Sequence, residues 1–533
     1  MERLKTVISA TLIALLSVTL LSPPAHATLG STTERVRIQV DDGVELSALV
    51  ITPTGTSGPH PLLVMPSAWA TNKTLYVGAA RRLAHESGYQ VISYTSRGFN
   101  ESGGEIEVAG PRDVADARAV IDWALATTEA DPDRIGMAGI SYGAGISLLT
   151  AAEDDRVRAV GAMSGWADLA ASVYPNETFS TQAVELLLTS ARLTGTPGDT
   201  LEAMEEGYRD GDARPALDAA PVRSAATGVD DINANGTAIM IAHAWNDGIF
   251  PPSQMTDFYG ALRTPKRLML APGDHATQEA FGAFGLPNET WESLGRWFDH
   301  HLRGIDNGID AEPPVQVRPN SGGGTWTGYP DWESVTASTT TYHLTRPAVT
   351  WTNWRSTGGL STEVPGDWSY RIRTAFGTTA NSGALLLSGA VQQFADIPTG
   401  VSLPLVNRVY AGVWTGPVLP GGATVSGTPR VRLTLTPNRA DASLFVYLYA
   451  VDSSGTGSLL THKPYTLRGA APGEARTVEI ALEPVVWRVP AGHRLALVVD
   501  GQDLRYGSEN RAGGTVTVSS SADAPSWLRV PTA

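Results

Sequence analysis

Arg134-Ile135-Gly136-Met137-Ala138-Gly139-Ile140-Ser141-Tyr142-Gly143-Ala144-Gly145 is the stretch on which the reading of this chain turns. Asp131-Pro132-Asp133 before it reads as a turn, and Ile146 to Ala152 after it continues as an apolar helix. A short apolar strand therefore enters Gly139-x-Ser141-x-Gly143 and leaves as a helix. That is the setting of a nucleophile elbow, where glycines admit a turn too tight for larger side chains and the serine hydroxyl stands clear of the sheet. The pattern by itself is weak evidence. With 55 glycines in 533 residues, roughly 0.4 chance matches are expected in a chain this long. The strand, the base, the acid and the oxyanion donors must come from elsewhere in the sequence.

Working outward, the strand and helix signals alternate. Residues 35 to 53 alternate around Asp41-Asp42-Gly43 and predict a hairpin. Pro61-Leu62-Leu63-Val64-Met65 is a continuous apolar run, as in a strand buried on both faces. Lys73 to Glu86 has helical spacing, Tyr89 to Tyr94 reads as a strand, and Val114 to Thr127 as a second helix. Val157 to Met163, Ala238 to Trp245 and Arg267 to Leu270 are further strands, and Glu289 to Leu302 is a last helix. The fold class expected is α/β, a doubly wound parallel sheet. From about Trp166 to Asn235 helix formers dominate, which predicts a helical cap inserted over the site. After residue 312, short strands separated by Gly, Pro, Ser and Thr predict an all-β sandwich of the jelly-roll kind over 313–533.

Composition bounds the function. The hydrophobic share of 42% and charged share of 17% mark a folded chain. A net charge of −15 leaves no basic surface for nucleic acid or an anionic membrane. Arg3 and Lys5, the apolar run Val7 to Leu21 and Ala25-His26-Ala27 predict a signal peptide over 1–27, removed near Thr28, and hence export without membrane insertion. The chain has no cysteine, which excludes disulfides and thiolate metal sites.

In a sheet of this kind the serine, the acid and the histidine follow in that order, each at the carboxyl end of a strand. Asp247 lies just beyond the strand ending at Trp245, and His275 just beyond the strand Arg267 to Leu270. A serine hydroxyl needs a histidine to take its proton and a carboxylate to hold the imidazole. Asp274 is the alternative acid, although as the sequence neighbour of His275 its side chain is expected to point elsewhere. His243, inside a strand, is read as a structural histidine, while His85, His300 and His301 fall on helices. No histidine pair has metal-ligand spacing, so neither metal nor cofactor is expected. The backbone N–H of Tyr142 is one oxyanion donor. A second is expected on Pro66-Ser67-Ala68-Trp69-Ala70, from a backbone N–H, the Trp69 indole or the Ser67 hydroxyl.

The chain resembles the CocE/NonD acyl esterases and the related S15 X-Pro dipeptidyl-peptidases. The matching stretches are Gly139-Ile140-Ser141-Tyr142, Trp245-Asn246-Asp247-Gly248-Ile249-Phe250, Gly273-Asp274-His275, Trp297 to Gly304, and Ser96-Arg97-Gly98-Phe99-Asn100-Glu101-Ser102-Gly103-Gly104. In the second domain Val489-Pro490-Ala491-Gly492-His493-Arg494-Leu495 matches as well. The resemblance implies an α/β-hydrolase core with a helical cap, Ser141, Asp247 and His275 as its triad, and a jelly-roll domain that helps to shape the site. One departure stands out. Cocaine esterase-like members place a tyrosine hydroxyl in the oxyanion hole soon after a proline, and here Pro66 is followed by no tyrosine until Tyr76.

The expectation is a secreted serine hydrolase acting on a small-molecule ester, or on an amide, through an acyl-enzyme. An X-Pro dipeptidyl-peptidase would need a carboxylate for the substrate amine, for which the cap offers Glu185, Glu202 and Glu205. An acyltransferase would use the same triad while excluding water. A glycan-binding sandwich would stack sugars on Trp326, Trp351 and Trp354. Acyl group, leaving group and oligomeric state lie beyond what spacing encodes.

Overall fold

The computed structural model describes residues 30–348 and 355–533. The expected signal peptide lies outside the described residues, as do Trp351 and Trp354.

The first domain is built on a ten-stranded sheet in the order β1-β2-β4-β3-β5-β6-β7-β8-β9-β10. Its strands are β1 (Ser31–Gln39), β2 (Glu45–Pro53), β3 (His60–Pro66), β4 (Gln90–Tyr94), β5 (Ala130–Ile140), β6 (Val157–Met163), β7 (Ala238–Ala244), β8 (Lys266–Ala271), β9 (Val315–Val317) and β10 (Thr327–Tyr329). The predicted hairpin is β1 and β2, paired antiparallel through Arg37 and Ser47. From β4 through β9 every neighbouring pair is parallel.

The continuous apolar runs follow from burial on both faces. Leu62, Val64, Met137, Val160, Ile239 and Ile241 belong to one core, and Leu63, Met65, Ala138, Ala159 and Met240 to the other. Successive strand residues point to opposite faces, so helices must cover both sides. On one side α1 (Val77–Ser87) and α11 (Glu289–Arg303) bring Leu83, Leu294, Trp297 and Phe298. On the other, α2 (Pro111–Thr127), α3 (Tyr142–Glu153) and α9 (Pro252–Ala261) bring Val120, Ile146 and Phe258. Each such side chain, fully buried, contributes about 1.5–3 kcal/mol.

Three expectations change in detail. The turn at Asp131-Pro132-Asp133 is an excursion inside β5 and does not end the strand. Pro61 pairs with Asp131 and Leu62 with Ile135, so the intervening residues bulge out. The Asp131 carboxylate closes that bulge, accepting from Asp133 N at 3.0 Å and Arg134 Nε at 2.6 Å. The helix expected from Lys73 begins at Val77, because Lys73 is drawn into the core: its N–H donates to Thr95 Oγ1 at 2.9 Å and its ammonium to Ser47 Oγ at 2.7 Å. The first sheet runs past the boundary expected at 312/313, as far as Tyr329. Val315 and Val317 are buried and pair in parallel with Leu268 and Leu270, and Gly322-Gly323-Gly324 lies in the connection between β9 and β10.

The cap comprises α4 (Leu169–Val173), α5 (Thr181–Thr194), α6 (Asp199–Asp210) and α7 (Arg214–Ala219). The next helix, α8 (Val229–Asn235), packs on α3 and so belongs to the layer beneath.

The C-terminal domain is a β-sandwich. Leu344, Trp368, Leu433, Leu435 and Val518 of one sheet meet Trp414, Leu444, Val446, Leu497 and Val499 of the other. In Ala442–Val451 the alternate residues Phe445, Tyr447 and Tyr449 face a second cluster with Ala380, Val401 and Val406. The segment covering that outer face carries α12 (Leu387–Ala395), a helix in a domain expected to be all-β, and it reaches the first domain. Gln392 accepts from Asn246 Nδ2 at 3.2 Å, and Gln393 Nε2 donates to Thr277 O at 3.4 Å.

Candidate active site

Ser141 sits between β5 and α3 with φ 58° and ψ −115°. A left-handed φ at a non-glycine residue costs on the order of 1–3 kcal/mol and persists only where the surroundings impose it. Here the flanking glycines make room for it. A Cβ on Gly139 would lie 2.3 Å from the Gly143 carbonyl carbon, and one on Gly143 would lie 2.1 Å from the Pro66 oxygen.

The parallel topology brings the ends of β5, β7 and β8 to one rim. His275 Nε2 lies 2.9 Å from Ser141 Oγ, and His275 Nδ1 lies 2.9 Å from Asp247 Oδ2. The other Asp247 oxygen accepts from the N–H groups of Ile249 (3.0 Å) and Phe250 (2.8 Å), which locks the carboxylate. The three residues expected to work together are thus in hydrogen-bond contact. Burial alone would lower the His275 pKa, but the Asp247 charge and hydrogen bond outweigh it and hold it above the usual histidine value. Burial likewise opposes ionisation of Asp247, yet the His275 charge leaves its pKa below the ordinary one.

His243 is buried and its pKa is depressed, by desolvation first. Its Nε2 lies 2.7 Å from the Phe250 carbonyl, an acceptor, so that nitrogen carries the proton. The same nitrogen is 3.5 Å from Asp247 Oδ2, so His243 packs behind the acid loop without donating to the carboxylate. Asp274 turns away from the imidazole and accepts from Gly248 N (3.0 Å) and His275 N (2.9 Å).

The Tyr142 N–H opens the first turn of α3, where backbone donors have no partner within the helix. The Tyr142 hydroxyl is anchored behind the elbow, donating to Asp113 Oδ2 at 3.0 Å and accepting from Ala109 N at 2.6 Å. Both side chains considered for the second donor are engaged elsewhere. The Trp69 indole donates to Leu187 O of the cap at 3.0 Å, and the buried Ser67 hydroxyl accepts from Ser96 N at 3.1 Å and donates toward Ser96 Oγ at 3.5 Å. The backbone N–H of Trp69 has no acceptor within the described residues.

Beside Ser141 lies a cavity of about 90 Å³ between sheet and cap. Trp69, Trp166, Leu187, Leu188, Met204 and Phe250 are among its walls, and no residue lining it is charged. None of the cap carboxylates lines it. Glu185 is ion-paired with Arg209 and accepts from Tyr208 Oη at 3.1 Å, and Glu205 pairs with Arg192 at 2.6 Å. Glu202 is exposed. Trp326 belongs to the β9–β10 connection, not to the sandwich. Its indole N–H donates to Glu289 at 3.1 Å, and the Arg318 guanidinium lies 5.3 Å from its ring centre.

Two groups at the site carried no signal in the sequence. Arg505, from the sandwich, shares a small polar cavity with Asp247, Gly248 and Asp274. Glu279 lies buried four residues after His275. Neither sits in a recognisable motif, and only tertiary proximity reveals them. Among the described residues no cluster of His, Asp and Glu is arranged to hold a metal, and no helix is long and apolar enough to cross a membrane.

Residues 42–277 match the X-Pro dipeptidyl-peptidase family S15, and residues 307–528 match the C-terminal non-catalytic domain of X-Pro dipeptidyl-peptidases. The chain is 23% identical over 472 residues to a Bacillus cereus protein named "Putative Xaa-Pro dipeptidyl-peptidase", covering 81% of this chain and 74% of that one. It is 24% identical over 322 residues to a Mycobacterium bovis protein named "Putative serine esterase", covering 52% and 47%. Its fold is similar to a CocE/NonD family hydrolase from Staphylococcus aureus, with a TM-score of 0.71 at 16% identity over 94% of each chain. The chain thus carries an S15 peptidase domain followed by the C-terminal domain of X-Pro dipeptidyl-peptidases, in the two-domain fold seen in the CocE/NonD hydrolase.

Proposed function

We propose that the protein is a secreted serine esterase that transfers apolar acyl groups to Ser141 and then to water. The observation that carries this reading is the cavity beside Ser141, whose walls hold no charged group. A free α-amine buried there would lose its hydration with no carboxylate to replace it, at a cost of several kcal/mol. An alkyl or aryl acyl chain gains from the same burial. At about 90 Å³ the cavity is small beside the roughly 300–1,000 Å³ of sites that enclose drug-sized ligands, which favours a short acyl chain.

In the proposed reaction, His275 Nε2 takes the Ser141 proton as Oγ attacks the ester carbonyl. Asp247 holds the imidazole through Nδ1 and stabilises its positive charge. The tetrahedral oxyanion receives the N–H of Tyr142 and, from the loop after β3, the N–H of Trp69. Collapse expels the alkoxide, which takes the proton from His275 and leaves as the alcohol. Water, deprotonated by the same imidazole, then cleaves the acyl-enzyme and restores Ser141. No cofactor enters these steps. Export is inferred from the N-terminal signal pattern.

The named relative and the family favour a second reading, an X-Pro dipeptidyl-peptidase. A panel of p-nitrophenyl esters beside an X-Pro-arylamide separates the two. The esterase reading requires turnover of the esters, lost in Ser141→Ala, and little dipeptide release. Arylamide hydrolysis faster than ester hydrolysis would replace it with the peptidase.

A further inference from the structure

Glu279 is anomalous. It is fully buried, and no donor reaches either carboxyl oxygen with hydrogen-bond geometry. It also makes no ion pair within the described residues: the groups acting on it are Ser164, His275 and Asp247. An orphaned buried carboxyl costs stability, and a fold that retains one at a reactive centre calls for a reason. Burial pushes its pKa up to about 7, with the Ser164 hydroxyl and the His275 charge pulling the other way.

Its surroundings supply the reason. Ser164, held at φ 44° just after β6, accepts the N–H of Ala276 at 3.1 Å, directly beside His275. Ser164 is also the side chain that most favours ionisation of Glu279 against its burial. Tyr76, whose charge state Glu279 also influences, accepts the N–H of Ile140 at 2.9 Å, directly before Ser141. Glu279 thus lies behind the base and the nucleophile at once. The titratable groups that interact with it are Tyr76 from the lead-in to α1, His275 from the loop after β8 and Asp247 from the loop after β7. From α11 the neutral Trp291 indole donates to the Glu279 carbonyl at 2.9 Å.

We propose that Glu279 is a positioning residue for the proposed reaction: a second carboxylate behind His275 that raises the basicity of the imidazole and, through Ser164, steadies the loop that carries it. The inference rests on the esterase reading for its kinetic consequences, but its electrostatic core does not. When Glu279 is ionised, the imidazolium formed during acylation faces two carboxylates instead of one. When it is protonated, that support is withdrawn.

Glu279→Gln keeps the shape and removes the charge. Without that charge the imidazolium is less favoured, so the acid limb of kcat/KM, which reports neutral His275, moves to lower pH. Plateau kcat falls on the order of 10-fold while KM changes little. Stability moves the other way. A carboxyl whose folded pKa lies above its unfolded value near 4.5 weakens the fold as pH rises through about 7. The Tm of Glu279→Gln should therefore exceed that of the parent, and the gap should widen between pH 5 and 8. The imidazole pKa of His275, read by NMR in the inactive Ser141→Ala background with and without Glu279→Gln, needs no turnover and so survives failure of the esterase reading. A lower imidazole pKa in the double variant supports the proposal. An unchanged imidazole pKa, or an acid limb that stays in place, overturns it.

Discussion

The guanidinium of Arg505 lies against Gly248: a Cβ at that glycine would fall 1.7 Å from Nη2. The first residue belongs to the sandwich, the second to the loop that carries Asp247. Gly248 N donates to Asp274 Oδ1 at 3.0 Å, and Asp274, buried beside the base, has Arg505 as the charge that most favours its ionisation. Burial still dominates and keeps the Asp274 pKa above the usual carboxylate value. The second domain thus supplies a cation and a packing surface to the acid loop of the first.

Gly248→Val is therefore expected to push Arg505 out of its place and shift the acid loop. Displacing a catalytic group by about 1 Å costs on the order of 10²-fold in rate. The loss should appear in kcat more than in KM, since the acyl cavity is elsewhere. Steady-state kinetics on one ester decide it, and full kcat in this variant would mean that the interface does not hold the loop.

Asp247→Asn should lower kcat by ~10⁴-fold, because an amide neither stabilises the imidazolium nor selects the productive tautomer. The pH dependence carries a sign. In the parent His275 is held above the usual 6.5, so the acid limb of kcat/KM should lie above that value. With the carboxylate gone, the limb should move down. A pH–rate profile of both proteins tests this, and a variant limb at the parent position would exclude Asp247 as the partner of the base.

Trp69→Phe removes the indole N–H but keeps the ring against Phe99 and Tyr142, at centroid distances of 4.9 and 5.1 Å. Loss of an oxyanion donor costs about 10²–10³-fold in kcat. Because the indole bonds Leu187 O, the expected fall is under about 10-fold, the scale of one neutral hydrogen bond. A fall of 10²-fold or more would return the indole to the oxyanion hole.

Met204→Ala enlarges the acyl cavity from its cap side. One methylene in an apolar pocket is worth about 1–3 kcal/mol of discrimination. The ratio of kcat/KM for longer to shorter p-nitrophenyl esters should therefore rise at least ~10-fold. An unchanged ratio would place the acyl group outside this cavity.

The elbow, the acid and the base were legible in the linear chain because their constraints are local. Gly139 and Gly143 mark a turn that admits no side chain, and a strand end followed by Asp247 or His275 fixes where each group emerges. Parallel topology does the rest, since it sends every such end to one rim. Two local readings still yielded to tertiary demands. Asp131-Pro132-Asp133 has turn chemistry, yet β3 pairs on either side of it and makes it a bulge within β5. The glycines at 322–324 look like a linker, yet buried Val315 and Val317 extend the first sheet past them.

The rest of the site depends on residues that meet only through folding. The Trp69 indole finds a cap carbonyl 118 positions away. Arg505 reaches Gly248 across a domain interface, and Glu279 acts on His275 from within the core with no counter-charge of its own. Charge balance, donor commitment and cavity walls are sums over such meetings, and no spacing rule in one dimension encodes them. The sequence alone determined where Ser141, Asp247 and His275 emerge and in what order, since backbone geometry and strand order are properties of short segments. Tertiary structure decided which donors are free, which carboxyls are buried without a counter-charge, and what shape of acyl group the cavity beside Ser141 admits.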